Sequence, residues 1–263
     1  MYSQIEIDSK FDGKLQLIYL NQPESYNSLT QIMLAELRSA IHKLGEEDNV
    51  RCIAISGKGK AFCAGQNLKE ALGFDEDDRT IQRFVIEYYN PLVLEIVKCK
   101  KPVIALVNGP AVGAGAMLAS ICDFTLATES SYFSFAFANI GLIPDTAGTY
   151  YLPKLVGRQL ASYLSFTGKK VPATEAKIIG LVADVFSDSE FVEKSMEVLT
   201  QLSHAATTAL YLTKKAFNKS YTLTLSEQLD YESIIQQDAA ETEDFKEGVA
   251  AFIEKRLPNY KGK

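Results

Sequence analysis

Three short stretches of this chain hold residue types that could do chemistry together. They are the loop Phe62-Cys63-Ala64-Gly65-Gln66-Asn67-Leu68, the loop Gly113-Ala114-Gly115, and the acid Asp145 in GLIPDTAGTYYL. In PVIALVNGPAVGAGAM, Pro102 to Met117, an apolar β-type run ends in small residues that open directly into a helix. Such a junction leaves unpaired N–H groups and the positive end of a helix dipole at one point. One donor from each loop, aimed at the same oxygen, would make an oxyanion hole. Taken singly, each loop is also an ordinary strand-to-helix turn. Asp145 follows a proline and precedes a helix-compatible run, so N-capping and catalysis are both open to it.

The rest of the composition removes competing chemistries. There are two histidines, His42 and His204, and neither lies near a candidate Ser or Cys nucleophile. No G-x-S-x-G or G-x-x-x-x-G-K-[ST] pattern occurs, which removes the support for a hydrolase elbow or a nucleotide phosphate loop. Cys52, Cys63, Cys99 and Cys122 form no C-x-x-C pair, and no His/Cys/Asp cluster has ligand spacing, so reduced structural thiols and no metal are expected. A net charge of −6 argues against nucleic acid as a partner. Apolar runs fall short of the roughly 18 residues of a membrane span, and neither a signal peptide nor a transmembrane helix is read, so a cytoplasmic protein is expected.

The elements that must position these loops follow from periodicity. Ile5 and Ile7, a turn at Asp12-Gly13, then Leu15, Leu17 and Tyr19 predict a hairpin. Met33, Leu34, Leu37, Ala40, Ile41 and Leu44 predict an amphipathic helix stopped by Gly45. Buried-type strands are expected at Cys52 to Ile55 and Val103 to Val107, each followed by a small-residue loop and a helix. This recurrence at a spacing of about 50 residues points to a repeated ββα unit. Between them, the charged stretch Phe74 to Arg83 is read as mobile. Further strands are expected at Phe124 to Ala127 and Tyr132 to Phe135, short helices at Gly157 to Phe166 and Thr174 to Ile179, and only helices after residue 188. Leu199, Leu202, Ala206, Leu210, Leu229, Ile234, Ile235, Val249 and Phe252 are spread over that last part, a helical region expected to pack on partner subunits.

The combination AFCAG-x-x-L, NG-x-x-x-GAG and GL-x-P-D-x-x-GT resembles the crotonase (enoyl-CoA hydratase/isomerase) superfamily, and the match runs over nearly the whole chain to the terminal EGVAAFIEKRLPNYKGK. The resemblance implies an α/β crotonase-like spiral of repeated ββα units over residues 1–190 and a helical trimerisation region over 191–263. It also implies a homotrimer or dimer of trimers and an acyl-CoA thioester substrate, with no cofactor beyond the CoA that the substrate carries. The oxyanion-hole donors fall on the N–H groups of Gln66 and Ala114, and the carboxylate of the family's isomerases falls on Asp145.

The two glutamates of the family's hydratases fall on Met117 and Phe137, neither of which can move a proton. The resemblance therefore favours an isomerase, acting by a 1,3-proton shift in an enoyl-CoA or on a ring-1,2-epoxyphenylacetyl-CoA that becomes an oxepin. A hydratase of broad specificity and a non-catalytic acyl-CoA-binding module are the alternatives. Phe137, Ile140 and Leu142 are expected to exclude water and raise the Asp145 pKa.

CoA contacts carry over to Ser25, Tyr26, Ala64, Gln66 and Leu68 through main-chain groups and to Lys69 at a phosphate. Phe252 and Lys255 are expected to reach the CoA of a neighbouring subunit. Asn67 stands where the family usually has Asp, and Glu24 where a basic residue is frequent. The segment Ala71 to Tyr89 is expected to shape the acyl pocket.

Overall fold

The computed structural model describes residues 2–71 and 80–263. Strands β1 (Ile5–Lys10) and β2 (Leu15–Leu20) form the expected antiparallel hairpin, with Ile5 opposite Leu20 and Lys10 opposite Leu15. Helix α1 (Gln31–Glu46) starts at Thr30, whose hydroxyl accepts the Met33 N–H at 3.1 Å, and buries the apolar stripe read from its period. Gly45 does not stop it. A Cβ on Gly45 would lie 3.1 Å from the Cys99 sulfur, so the residue is small because the helix packs tightly there.

Strand β3 (Cys52–Gly57) runs parallel to β2 and leads through the first loop into α2 (Leu68–Ala71). From residue 80 the chain is helical through α3 (Thr80–Phe84), a widened π-type turn at Val85–Tyr89, and α4 (Asn90–Lys98). Of the charged stretch read as mobile, residues 74–79 lie outside the described residues. Strand β4 (Val103–Val107), the short β5 (Ala111–Val112) and α5 (Ala114–Ile121) carry the second loop.

Next come β6 (Phe124–Thr128), β7 (Tyr132–Ser134), a 3-10 turn at Ala136–Ile140, α6 (Gly148–Val156) and α7 (Arg158–Thr167). Then follow β8 (Lys170–Pro172), α8 (Ala173–Ile178) and β9 (Asp184–Phe186). The two strands β8 and β9 were not expected from the sequence. Each is three residues long, too short to show alternation, and each exists because a neighbouring strand, β7 or β6, offers it a ladder.

The main sheet has the order β1-β2-β3-β4-β6-β9, parallel from β2 onward, and a three-stranded sheet has the order β5-β7-β8. Alternation sorts the side chains of the main sheet. Ile53, Ile55, Val103, Ala105 and Val107 face the core shared with α1, α4 and α5, whereas Cys52, Ala54, Ile104 and Leu106 meet Phe191 and Leu199 of α9 (Phe191–Ser203) on the opposite face.

Helices α10 (Thr207–Ser220), α11 (Leu225–Ala240) and α12 (Glu243–Glu254) complete the chain. Buried Asp244 holds the segment after α12, accepting the N–H groups of Lys261 at 2.6 Å and Gly262 at 2.8 Å. Leu229, Ile234, Val249 and Phe252 are exposed on the single chain. Among the described residues no helix is long and apolar enough to cross a membrane.

Candidate active site

Because β3 and β4 are adjacent and parallel, the loops that follow them leave the same end of the sheet. They are then stitched together. Cys63 and Ala111 form a bridge, and the Val112 N–H donates to the Cys63 carbonyl at 2.9 Å. Two glycines allow the approach. Gly65 has φ +88, and a Cβ on it would lie 2.7 Å from the Val112 oxygen and 3.4 Å from the Ala114 nitrogen. A Cβ on Gly115 would lie 2.3 Å from the Cys63 oxygen.

Peptide planarity then sets where the two donors point. The Gly65 carbonyl accepts the Leu29 N–H at 2.7 Å, so the Gln66 N–H of the same trans peptide faces the other way. The Gly113 carbonyl accepts the Met117 N–H at 3.1 Å along α5, so the Ala114 N–H faces out of the helix start. Among the described residues neither Gln66 N–H nor Ala114 N–H has a hydrogen-bond partner. Both residues border a cavity of about 250 Å3 whose other walls include Phe84, Val85, Tyr89, Phe137, Ile140, Leu142 and Asp145.

Asp145 is the one carboxylate among the described residues lining this cavity. Its side chain does not cap α6. The residue before that helix is Ala147, and no side chain caps the first turn. Asp145 instead accepts the Thr146 hydroxyl at 3.0 Å, and its main-chain oxygen accepts the Gly148 N–H at 2.7 Å. Thr146 and Ala147 are both left-handed, with φ 51 and 60, a conformation costing on the order of 1–3 kcal/mol per residue that tends to be kept at functional sites. Burial pushes the Asp145 carboxyl above its ordinary range, against opposing hydrogen bonds from Thr146 and from its own main chain.

Met117 and Phe137 occupy different places. Phe137 lines the cavity, while Met117 is fully buried under the α6 start, where a Cβ on Gly148 would meet its sulfur at 3.0 Å. Of the segment Ala71 to Tyr89, the cavity wall takes Ile81, Phe84, Val85 and Tyr89. Tyr89 carries a signal that sequence reading missed: its hydroxyl donates to the Gln66 side-chain oxygen at 2.5 Å. Nothing local marks it, since its placement depends on the widened turn. Burial, and secondarily the Asp145 charge, raise the Tyr89 pKa well above the phenolic range, so the hydroxyl stays a donor.

The remaining predicted positions fall in two groups. Ser25 and Tyr26 lie on the rim of the first loop, where the Tyr26 carbonyl accepts the Ala64 N–H at 3.0 Å, and Ala64 and Leu68 line the cavity beside them. Exposed Lys69 follows on α2. Asn67 does the local work a carboxylate would do, its side-chain oxygen accepting the N–H groups of Lys69 at 3.1 Å and Glu70 at 3.3 Å. Phe252 and Lys255, at the far end of α12, are exposed and do not line this cavity.

All four cysteines are free and buried, and burial pushes the Cys63 thiol up to about 12, which leaves it a poor nucleophile although it sits in the first loop. His42 pairs with Glu95 at 3.0 Å on the surface. Among the described residues no group of three or more His, Cys, Asp or Glu could hold a metal ion.

The enoyl-CoA hydratase/isomerase family model matches residues 10–263. The 1,2-epoxyphenylacetyl-CoA isomerase of Escherichia coli is 39% identical over 97% of this chain and 98% of its own. A probable enoyl-CoA hydratase of Rhodobacter capsulatus is 37% identical over 95% of each chain. Among solved structures, an enoyl-CoA hydratase from Bacillus anthracis superposes with a TM-score of 0.93 at 34% identity, covering 99% of this chain and 100% of that one. With the crotonase fold, the two loops and the matched residues in place, the chain belongs to the enoyl-CoA hydratase/isomerase family.

Proposed function

We propose that this enzyme isomerises an acyl-CoA thioester by proton transfer through an enolate. The Gln66 and Ala114 N–H groups both donate to the thioester carbonyl oxygen held between them, which makes the α-proton removable; losing one such donor costs about 2.7–4 kcal/mol of transition-state stabilisation. With a 3-enoyl-CoA, the Asp145 carboxylate takes a proton from the α-carbon. The C–H electron pair spreads over the dienolate with its charge on the carbonyl oxygen, and the proton returns to the γ-carbon as the charge collapses. The product is the conjugated 2-enoyl-CoA, with no atom gained or lost and no cofactor beyond the CoA of the substrate.

The observation that carries this reading is that Asp145 is the single carboxylate among the described residues of the cavity, which it shares with Phe137, at a position where hydration would call for a second acid or base. One carboxylate acting first as base and then as acid is enough for a 1,3-shift. The raised pKa of Asp145 supports both halves of that cycle.

A ring-1,2-epoxyphenylacetyl-CoA, isomerised to an oxepin, is favoured as a second substrate class by the likeness to the E. coli isomerase and by the aromatic walls Phe84, Tyr89 and Phe137. Ser25, Tyr26, Ala64, Gln66, Leu68 and Lys69 would follow the CoA along the rim, with Phe252 and Lys255 of a neighbouring subunit in a trimer or hexamer. A panel of 3-enoyl, 2-enoyl and aromatic-ring thioesters, read by mass, tests the reading. Isomerisation without mass change supports it, and rapid addition of water to crotonyl-CoA would replace it with a hydratase.

A further inference from the structure

Two N–H donors without a partner among the described residues, at Gln66 and Ala114, stand beside a side-chain acceptor, the Gln66 amide oxygen, in the same cavity. Orphan backbone donors are satisfied by whatever acceptor reaches them. A glutamine side chain beside such a pair is therefore a competitor for the place of the thioester oxygen. The Gln66 amide oxygen, however, is already taken, because Tyr89 donates to it at 2.5 Å, while the nitrogen of the same amide donates to the Asn67 carbonyl at 3.4 Å. Tyr89 is itself held by packing: it is 3% exposed, ends the widened turn at Val85–Tyr89 and packs at a tilt against Phe84 with ring centroids 5.6 Å apart.

We infer that Tyr89 is a positioning residue that keeps the Gln66 side chain out of the oxyanion site, so that both N–H groups stay available to the substrate carbonyl. The inference rests on the oxyanion-hole reading above but not on which reaction follows. Beyond lining the cavity, Tyr89 acts on the oxyanion site through Gln66, and its hydroxyl proton stays committed to that bond. Removing the hydroxyl frees the glutamine to plug the site, and removing the glutamine side chain as well opens it again.

The test is isotope-edited infrared spectroscopy of butyryl-CoA labelled with 13C at the thioester carbonyl, a saturated ester with no double bond to move. Binding to the parent protein is expected to lower the carbonyl stretching frequency. Tyr89→Phe is expected to lose more than half of that downshift, Gln66→Ala to keep it, and the Tyr89→Phe/Gln66→Ala double variant to regain it. A parental downshift in Tyr89→Phe, or a double variant as impaired as Tyr89→Phe, overturns the inference. If Tyr89→Phe fails to fold, the Gln66→Ala spectrum still decides, since loss of the downshift there would mean the side chain helps rather than hinders. Absence of any downshift in the parent would remove the oxyanion site itself, whereas failure of the isomerisation assay with these shifts intact would leave the Tyr89 inference standing.

Discussion

Gly115 lies so close to Cys63 that a Cβ on it would sit 2.3 Å from the Cys63 carbonyl oxygen. That contact holds the helix start bearing Ala114 against the loop bearing Gln66. Gly115→Ala must push the two apart, at a packing cost of about 1–3 kcal/mol. Displacing one donor is expected to lower kcat on the order of 100-fold or more. Thermal melting and steady-state kinetics together check this, and a variant with a parental rate would show that the spacing of the loops is unimportant.

The Asp145 carboxyl is raised by burial, and its two consequences run in opposite directions with pH. As a base it must be ionised, so kcat/KM should rise with pH through a pKa above the ordinary 3.8 and then level off. Burial favours the protonated form. Its contribution to stability is therefore fully present below the unfolded pKa and is lost as pH rises through the folded one. Asp145→Asn should melt above the parent at pH 7, with the difference shrinking as the pH falls. A pH series of melting curves measures it.

Phe137 shares the cavity with Asp145, so Phe137→Glu would place a second carboxylate in the same partly buried space. Like charges at close range disfavour joint ionisation and raise one of the two pKa values. The acid limb of the isomerisation pH profile should move up by roughly one unit or more. An unchanged limb would mean that the two positions do not interact.

Asp244 accepts two main-chain N–H groups, from Lys261 and Gly262, while 3% exposed. Hydrogen bonds to a charged group contribute about 1.5–3 kcal/mol. Asp244→Ala should lower the melting temperature and speed tryptic cleavage after Lys255 or Arg256. Cleavage at the parental rate would show that the segment is held by something else.

Much of this arrangement is legible in the chain itself. The unbroken apolar runs Cys52 to Ile55 and Val103 to Val107 report burial on both sheet faces, and the helical stripe from Met33 to Leu44 reports α1 to within two residues at each end. The two loops stand out because small residues follow apolar strands. Asp145 was ambiguous because Pro-Asp-Thr is ordinary helix-start chemistry, and only the left-handed Thr146 and Ala147 take its side chain away from the cap. Gly45 misled because a glycine needed for close packing on Cys99 reads the same as one that ends a helix. Tyr89 was silent because its partner Gln66 lies 23 residues away, a contact that no local period encodes.

The central claim is that Asp145 moves the proton. The direct measurement is turnover of a 3-enoyl-CoA by Asp145→Asn, followed as the rise of conjugated-thioester absorbance, with binding of a saturated acyl-CoA measured alongside. The account predicts a rate lower by on the order of 100-fold or more, the scale of general acid–base catalysis, with ester binding retained. Turnover at the parental rate with ester binding retained would contradict it.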